Sequence, residues 1–107
     1  MMQFLIAAPS SGSGKTTVAC AVLAALKKRG ADPCAFKSGP DYIDPMFHRA
    51  VIGAESGNLD SYFCGEYLSA VFADSARDLN LIEGAMGYYD GLGFTDEHSA
   101  YDVGRRL

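Results

Sequence analysis

Residues 4–17 read FLIAAPSSGSGKTT, and this stretch decides the fold of the chain. Residues 4–8 form a short apolar run that predicts a buried strand. Over residues 15–29 the apolar side chains recur at helical spacing, and Gly30 follows where a C-terminal cap is expected. The glycine-rich segment therefore joins a strand to a helix, which is the setting in which backbone N–H groups and a helix N-terminus hold phosphate.

The loop itself predicts a site for the phosphates of ATP. Gly12 and Gly14 allow successive N–H groups to turn inward, Lys15 can bridge the β- and γ-phosphates, and the Thr16 hydroxyl suits Mg²⁺. The G-x-x-x-x-G-K-[ST] pattern requires its first glycine at position 9, where Pro9 stands, so the loop is a variant form. The alternative is a glycine-rich turn that only caps a helix. We assign nucleotide binding to Ser11, Gly12, Ser13, Gly14, Lys15, Thr16 and Thr17.

The rest of the chain continues the alternation of strands and helices. The pattern predicts strands over 33–37 and 79–82, and helices from Pro45 to near Gly53, over 66–76 and over 102–107. This order is typical of an α/β fold with a parallel sheet and flanking helices, here of about three strands, as in P-loop NTPases. Because three strands do not complete such a sheet, we expect residues 1–107 to be the N-terminal part of a longer ATP-binding domain.

Charged side chains follow the other two predicted strands. Lys37, Asp41 and Asp44 come after the second strand, and Glu83 ends the third. The carboxyl ends of parallel strands share one edge of the sheet, where ligands bind, and Mg²⁺ prefers carboxylate oxygens. We therefore predict Lys15, Lys37, Asp41, Asp44 and Glu83 as catalytic residues, and Thr16, Asp41, Asp44 and Glu83 as metal ligands. Structural alternatives remain open: Asp44 as a helix cap, Asp41 as a turn residue, Glu83 as a solvated strand end and Lys37 as an exposed lysine.

Aromatic side chains are a weaker indication. Six of them are candidates to line a pocket for a large apolar substrate, although aromatics at this spacing are more often part of the core: Tyr42, Phe47, Tyr62, Phe63, Tyr88 and Tyr89. We assign no chemistry to His48.

Composition limits the partners. The net charge is −4 and the basic residues are scattered, which argues against nucleic acid. No apolar run approaches the ~20 residues that cross a bilayer, and the N-terminus does not resemble a secretory signal. The three cysteines form no C-x-x-C pair, so a disulfide framework or zinc site is not expected and the cytoplasm is the default compartment. Open sheet edges would favour self-association into a homo-oligomer.

Four segments in this order resemble the cobyrinic acid a,c-diamide synthases, which are amidases of the dethiobiotin synthetase-like P-loop group. They cover nearly the whole chain, and the second and fourth are the most specific: APSSGSGKTT (8–17), KSGPDYIDPMFH (37–48), NLDSYF (58–63) and IEGAMGYYDG (82–91).

The resemblance implies ATP-dependent amidation of two corrinoid carboxylates through acyl phosphates, with glutamine or ammonia as nitrogen donor. It also implies that Asp41, Asp44 and Glu83 surround Mg²⁺ and the reacting carboxylate. Family members carry a C-terminal glutamine amidotransferase domain, which nothing in this sequence matches, so we expect the chain alone to have no glutamine-dependent activity. Alternatives are a dethiobiotin synthetase, a diamidase for a nickel or metal-free ring, a P-loop switch or partitioning ATPase, and a non-catalytic remnant.

Overall fold

A computed structural model describes residues 1–39, 45, 46, 48–91 and 95–107, and of Phe63 only the backbone. Four strands alternate with helices along the chain. The strands are β1 (Met2–Ile6), β2 (Cys34–Ser38), β3 (Glu55–Leu59) and β4 (Leu79–Glu83). The α-helices are α1 (Lys15–Lys28), α2 (Ser61–Cys64), α3 (Leu68–Ser75) and α4 (Ala100–Arg106). A π-helix, His48–Ile52, precedes β3, and a 3₁₀ turn, Gly65–Tyr67, joins α2 to α3.

The strands form one parallel sheet in the order β1-β4-β2-β3. The α/β class, the parallel sheet and the flanking helices are as the sequence predicts. The count of three strands is wrong, because β3 is a fourth strand that pairs with β2. Its sequence, ESGNL, is mostly polar and contains a glycine, so it carries no strand signal of its own.

Alternating side chains of the sheet pack into a core on each face, as the two-residue period of a strand requires. On one face Ala35 and Leu81 meet Ala19 and Leu23 of α1. On the other face lie the buried side chains of Phe36, Leu59, Leu68, Phe72, Ile82 and Val103, with the Phe36 and Phe72 rings 5.0 Å apart. Helix α1 therefore covers one face of the sheet, and α3 and α4 cover the other.

Several helix boundaries differ from the predicted ones. The single helix over 66–76 is wrong, since the Gly65–Tyr67 turn is a separate 3₁₀ element before α3. Helix α4 begins at Ala100, two residues before the predicted start, because the Ser99 hydroxyl caps it by accepting from the Asp102 amide at 3.1 Å. The C-terminal end of α1 is as predicted: Gly30 donates to Lys27 and Ala31 donates to Leu26, both at 3.0 Å.

Within the part of the chain that the structure describes, none of the helices combines the length and the apolar character needed to cross a membrane.

Candidate functional site

The loop between β1 and α1 has the shape of an anion cradle. Gly14 is the N-terminal cap of α1 with φ of 89°, and Gly12 has φ of 75°, a region that L side chains seldom adopt. Among the described residues, no other atom lies within 4 Å of a Cβ placed at either glycine. Ser13 fixes the turn by donating its hydroxyl to the Ser10 carbonyl at 2.9 Å. The loop is therefore open on the side where a phosphate group would enter.

Lys15 lies across this loop. Its side chain is largely buried, and the ammonium donates to the Ser10 carbonyl at 3.3 Å. The charge is thus held over the loop by a backbone oxygen. Lys15 also lines the cavity described below, and its role as the phosphate-bridging lysine stays a prediction.

Glu83 lies at the centre of the site and is 0% exposed. Its Oε1 accepts two hydrogen bonds, from the Thr16 hydroxyl at 2.6 Å and from the Lys37 ammonium at 2.9 Å. Both distances are those of charge-assisted hydrogen bonds. The second oxygen, Oε2, is buried and receives no hydrogen bond from the residues that the structure describes. Oε2 of Glu83 is therefore a hydrogen-bond acceptor without a partner among the described residues, and it belongs to the same carboxylate that binds the Thr16 hydroxyl.

The topology of the sheet explains why these residues meet. Strand β4 lies between β1 and β2, and Glu83 is paired with Ile6 on one side and Lys37 on the other. The phosphate loop begins directly after β1, so Thr16 reaches Glu83 from the same edge of the sheet. Parallel strands thus bring together three residues that are far apart in sequence.

A cavity of about 420 Å³ opens at this place. Six of the seven residues assigned to nucleotide binding line it; Ser13, whose hydroxyl bonds within the loop, does not. Among the described residues, Lys15 and Lys37 supply two positive charges against the carboxylate of Glu83, a balance that favours an anion. The lining residues are Ser11, Gly12, Gly14, Lys15, Thr16, Thr17, Lys37 and Met86.

Two residues of the site were not predicted. Met86 lines the cavity and has φ of 52°, which is uncommon for a residue with a side chain. Ser38 is buried, and its hydroxyl accepts from the Ala85 amide at 2.8 Å, which fastens the loop after β4 to the end of β2. Both residues lie within segments that the sequence analysis identified. A methionine or a serine at such a position does not by itself indicate a binding or catalytic role.

Other predicted residues lie outside the cavity or outside the described chain. Asp41 and Asp44, predicted as catalytic and metal-binding, are among the residues that the structure does not describe, as are Tyr42 and Phe47. Tyr88 and Tyr89 pack against each other and against Tyr101, with ring centroids 4.8 to 5.7 Å apart.

The described residues fit Mg²⁺ in part. The Thr16 hydroxyl and Glu83 are hard oxygen donors in contact with each other, and the buried Oε2 of Glu83 could accept from a metal-bound water. No group of three or more histidine, cysteine, aspartate or glutamate side chains able to hold a metal occurs in the described ranges. Mg²⁺ sites commonly combine one or two protein oxygens with phosphate oxygens and water.

The sequence profile of the CobQ/CobB/MinD/ParA nucleotide-binding domain matches residues 4–90, which include the loop, Lys37 and Glu83. The chain belongs to this family. Within the CobQ/CobB/MinD/ParA family it is similar to curated enzymes along its entire length. The relative from Clostridium tetani, named cobyrinate a,c-diamide synthase, is 43% identical over 100% of this chain and 25% of its own length.

Two further relatives give the same picture. The cobyrinate a,c-diamide synthase of Listeria innocua is 49% identical over 94% of this chain and 23% of its own. The hydrogenobyrinate a,c-diamide synthase of Streptomyces coelicolor is 51% identical over 83% of this chain and 19% of its own. The chain spans about a quarter of the length of the curated relatives it matches, and its similarity is to their N-terminal portion.

Proposed function

We propose that this chain supplies the ATP-binding part of a carbon–nitrogen ligase that amidates the a- and c-side-chain carboxylates of a corrinoid, a step of cobalamin biosynthesis. The observation that carries the proposal is that Lys15, Thr16 and Lys37 line one cavity beside the glycine loop, with Thr16 and Lys37 both bonded to the buried Glu83. The names of the relatives at 43–51% identity, which are cobyrinate and hydrogenobyrinate a,c-diamide synthases, supply the substrate class.

In the first step a corrinoid carboxylate oxygen attacks the γ-phosphorus of ATP, forming an acyl phosphate and releasing ADP. Catalysis of such a transfer is mainly positioning and charge stabilisation. The loop N–H groups and Lys15 hold the phosphates in place. Lys37, which has a negatively charged partner in Glu83, is close enough to the cavity to bind an oxygen of the transferring group.

In the second step ammonia, from glutamine or from solution, attacks the acyl carbon and inorganic phosphate leaves. The proton that ammonia loses passes to phosphate or solvent. Activation is needed because a carboxylate is a poor electrophile and its oxide a poor leaving group. Exclusion of water from the cavity would favour amidation over hydrolysis of the acyl phosphate.

Mg²⁺, held by Thr16 and through water by Glu83, would neutralise charge on the phosphates. Asp41 and Asp44 remain proposed as further acidic residues of the site. A glutamine amidotransferase domain as nitrogen source and a homo-oligomer remain proposals for the parent enzyme.

A chimera tests the proposal. Residues 1–107 would replace the corresponding quarter of the Clostridium tetani relative, and formation of the a,c-diamide from cobyrinate, ATP and glutamine would be followed by chromatography. We expect product from the chimera and at least a hundredfold less from its Lys15→Ala form, because one phosphate-bridging charge is worth about 3 kcal/mol or more in transfer reactions. Circular dichroism would verify that both forms are folded.

A P-loop switch or partitioning ATPase is the competing function, because the matched family also includes MinD and ParA. Dimer-forming members of that kind carry a lysine where this chain has Ser10, whose hydroxyl lies 3.3 Å from that of Ser13. A folded chimera that hydrolyses ATP equally fast with and without cobyrinate, and makes no amide, would favour the switch ATPase instead.

A further inference from the structure

A second pocket, with a largely apolar lining that also carries several polar groups, lies at the same edge of the sheet, beyond the end of β3. It has a volume of about 540 Å³ and lies between the α2–α3 segment and α4. Its polar and aromatic lining consists of Ser61, Tyr62, Glu66, Ser69, His98 and Arg106. None of these residues lines the phosphate cavity.

A part-buried hydrogen-bonded pair, Ser61 and His98, forms one part of the pocket. The Ser61 hydroxyl lies 2.8 Å from Nδ1 of His98, and Ser61 is only 2% exposed. His98 is fixed at φ of 64° by its amide, which donates to Oδ2 of Asp102 at 2.9 Å. Either Ser61 or the ring nitrogen can be the donor, depending on the tautomer. With Nδ1 engaged, a ligand would meet Nε2, which is an acceptor in one tautomer and a donor in the other.

Arg106 gives the pocket a positive charge. Its guanidinium is bound to Asp102 at 2.9 Å, but Arg105 binds the same carboxylate at 2.8 Å, so two cations share one anion. Glu66 also lines the pocket, and because both Glu66 and Arg106 are solvent-exposed, water screens both charges. The pocket thus combines the buried Ser61 hydroxyl, a half-buried imidazole and an exposed guanidinium, which suits a carboxylate or a carboxamide.

An aromatic surface lies at the mouth. Tyr62 is 62% exposed, and its ring meets His98 edge-on with centroids 5.4 Å apart. A flat, largely apolar ligand could stack on the exposed Tyr62 ring while a polar arm enters the pocket. A tetrapyrrole ring with carboxylate side chains has this form.

The position of the pocket relates it to the phosphate cavity. Lys37 of β2 is paired with Asn58 of β3, and Ser61 follows only three residues later. Three strand spacings separate β1 from β3, which is roughly 15 Å. The relatives are named for diamide products, so their substrates carry two carboxylates that are amidated. While one of them lies at Lys15 and Lys37, the other must be held elsewhere.

We propose that the Ser61–His98–Arg106 pocket binds the substrate arm that is not being phosphorylated, first as a carboxylate and later as a carboxamide. This inference rests on the proposed function. The reversible donor direction of the Ser61–His98 pair allows both forms to bind, since an amide N–H needs an acceptor where a carboxylate needs a donor. The pocket would therefore position the ring for both amidations.

The test is a calorimetric titration of cobyrinate into the 107-residue chain. Arg106→Gln is compared with the matched control Arg105→Gln, which removes a cation from the same Asp102 outside the pocket. We expect Arg106→Gln to weaken cobyrinate binding about tenfold or more, since a charge-assisted hydrogen bond is lost, and Arg105→Gln to change it less than about twofold. Ser61→Ala should weaken the a,c-diamide as well as cobyrinate.

Equal effects of the two arginine variants, or no cobyrinate binding by the wild-type chain, would overturn the pocket assignment. Titration of Mg·ATP into the same samples separates this failure from that of the proposed function. If Arg106→Gln binds Mg·ATP and its cobyrinate affinity is unchanged, only the pocket assignment is refuted. If the wild-type chain does not bind Mg·ATP, the nucleotide site is refuted. Circular dichroism checks that each variant is folded.

Discussion

At the scale of single residues, the contact between Lys37 and Glu83 affects both the charge of the phosphate site and the free energy of unfolding. Glu83 is fully buried and Lys37 nearly so, and the carboxylate would be left without this cation if Lys37 were removed. An uncompensated buried charge is costly, whereas removal of both charges is often nearly neutral. Removing only one of the two charges should therefore cost more free energy of unfolding than removing both.

A double-mutant cycle measures this. We expect Lys37→Met to lower the free energy of unfolding by about 3 kcal/mol, and the double variant Lys37→Met/Glu83→Gln to recover most of it. Urea unfolding followed by circular dichroism of the wild type, Lys37→Met, Glu83→Gln and the double variant gives the values that the cycle requires. Lys27→Met is the control, because Lys27 and Asp32 form a partly exposed pair at 3.8 Å that should contribute under about 0.5 kcal/mol. Additive effects of the two substitutions at the site would mean that the buried charges do not interact.

At the scale of elements, the loop after β4 is fastened to the phosphate loop. The Tyr88 amide donates to the Ala8 carbonyl at 2.7 Å, and Gly87 approaches Pro9 so closely that a Cβ would lie 2.5 Å from the Pro9 carbonyl oxygen. Gly57 of β3 offers a contrast, since a Cβ there would meet nothing closer than 3.9 Å. The backbone contact at Gly87 thus links the two loops that border the cavity.

We therefore expect Gly87→Ala to destabilise the fold by about 2 kcal/mol and to weaken ATP binding, because Pro9 begins the phosphate loop and would have to move. Gly57→Ala should leave ATP affinity unchanged. Calorimetric titration of Mg·ATP together with urea unfolding measures both effects. An unaltered ATP affinity in a destabilised Gly87→Ala protein would show that the two loops are not coupled.

Helix α4 predicts an acid sensitivity. Burial alone would raise the pKa of Asp102, but hydrogen bonds from Arg105, from the His98 amide and from Arg106 lower it from 3.8 to about 2. A carboxyl group with a depressed folded-state pKa stabilises the fold above its unfolded pKa, and this contribution is lost as the pH falls from about 4 to about 2. Since Arg105 is exposed, we expect about 1 kcal/mol.

Urea midpoints at pH 7 and pH 2.5 check this expectation, with Asp102→Asn as the comparison. The wild-type protein should lose about 1 kcal/mol more than the variant over this interval. The same loss in both proteins would mean that Asp102 has its ordinary pKa in the folded state.

The elements also show which parts of the fold can be read from the sequence. Strands β2 and β4 were predictable because buried strands are apolar runs, and the glycine-rich loop has a fixed place between a strand and a helix. The prediction that the first strand is buried is wrong, because β1 lies at an edge of the sheet and none of its residues is buried. Strand β3, at the opposite edge, was missed because its polar residues and glycine carry no strand signal, and only pairing with β2 defines it. Met86 and Ser38 were missed because their roles depend on where the loops come together in space, which no local pattern records.

At the scale of the whole molecule, the phosphate site connects most of the fold. Its lining comes from the loop after β1, from α1, from β2 and from the loop after β4, so the cavity borders segments on both sides of β4. Anything that binds the native state but not the unfolded chain stabilises the fold by mass action. The nucleotide should therefore stabilise the cooperative unit as a whole and not one loop alone.

Thermal unfolding with Mg·ATP at a hundred times its dissociation constant should show this. The expected gain is about 2.7 kcal/mol, which for a chain of this size raises Tm by about 10 °C. Lys15→Ala should abolish most of the shift, because the ammonium held over the loop is lost, whereas Lys28→Ala, at an exposed position of the same helix, should retain it. An equal shift in the two variants would place the nucleotide somewhere other than the glycine loop. A shift that remains in full when Mg²⁺ is chelated would remove the metal from the proposed site, since Thr16 and Glu83 would then have no cation to hold.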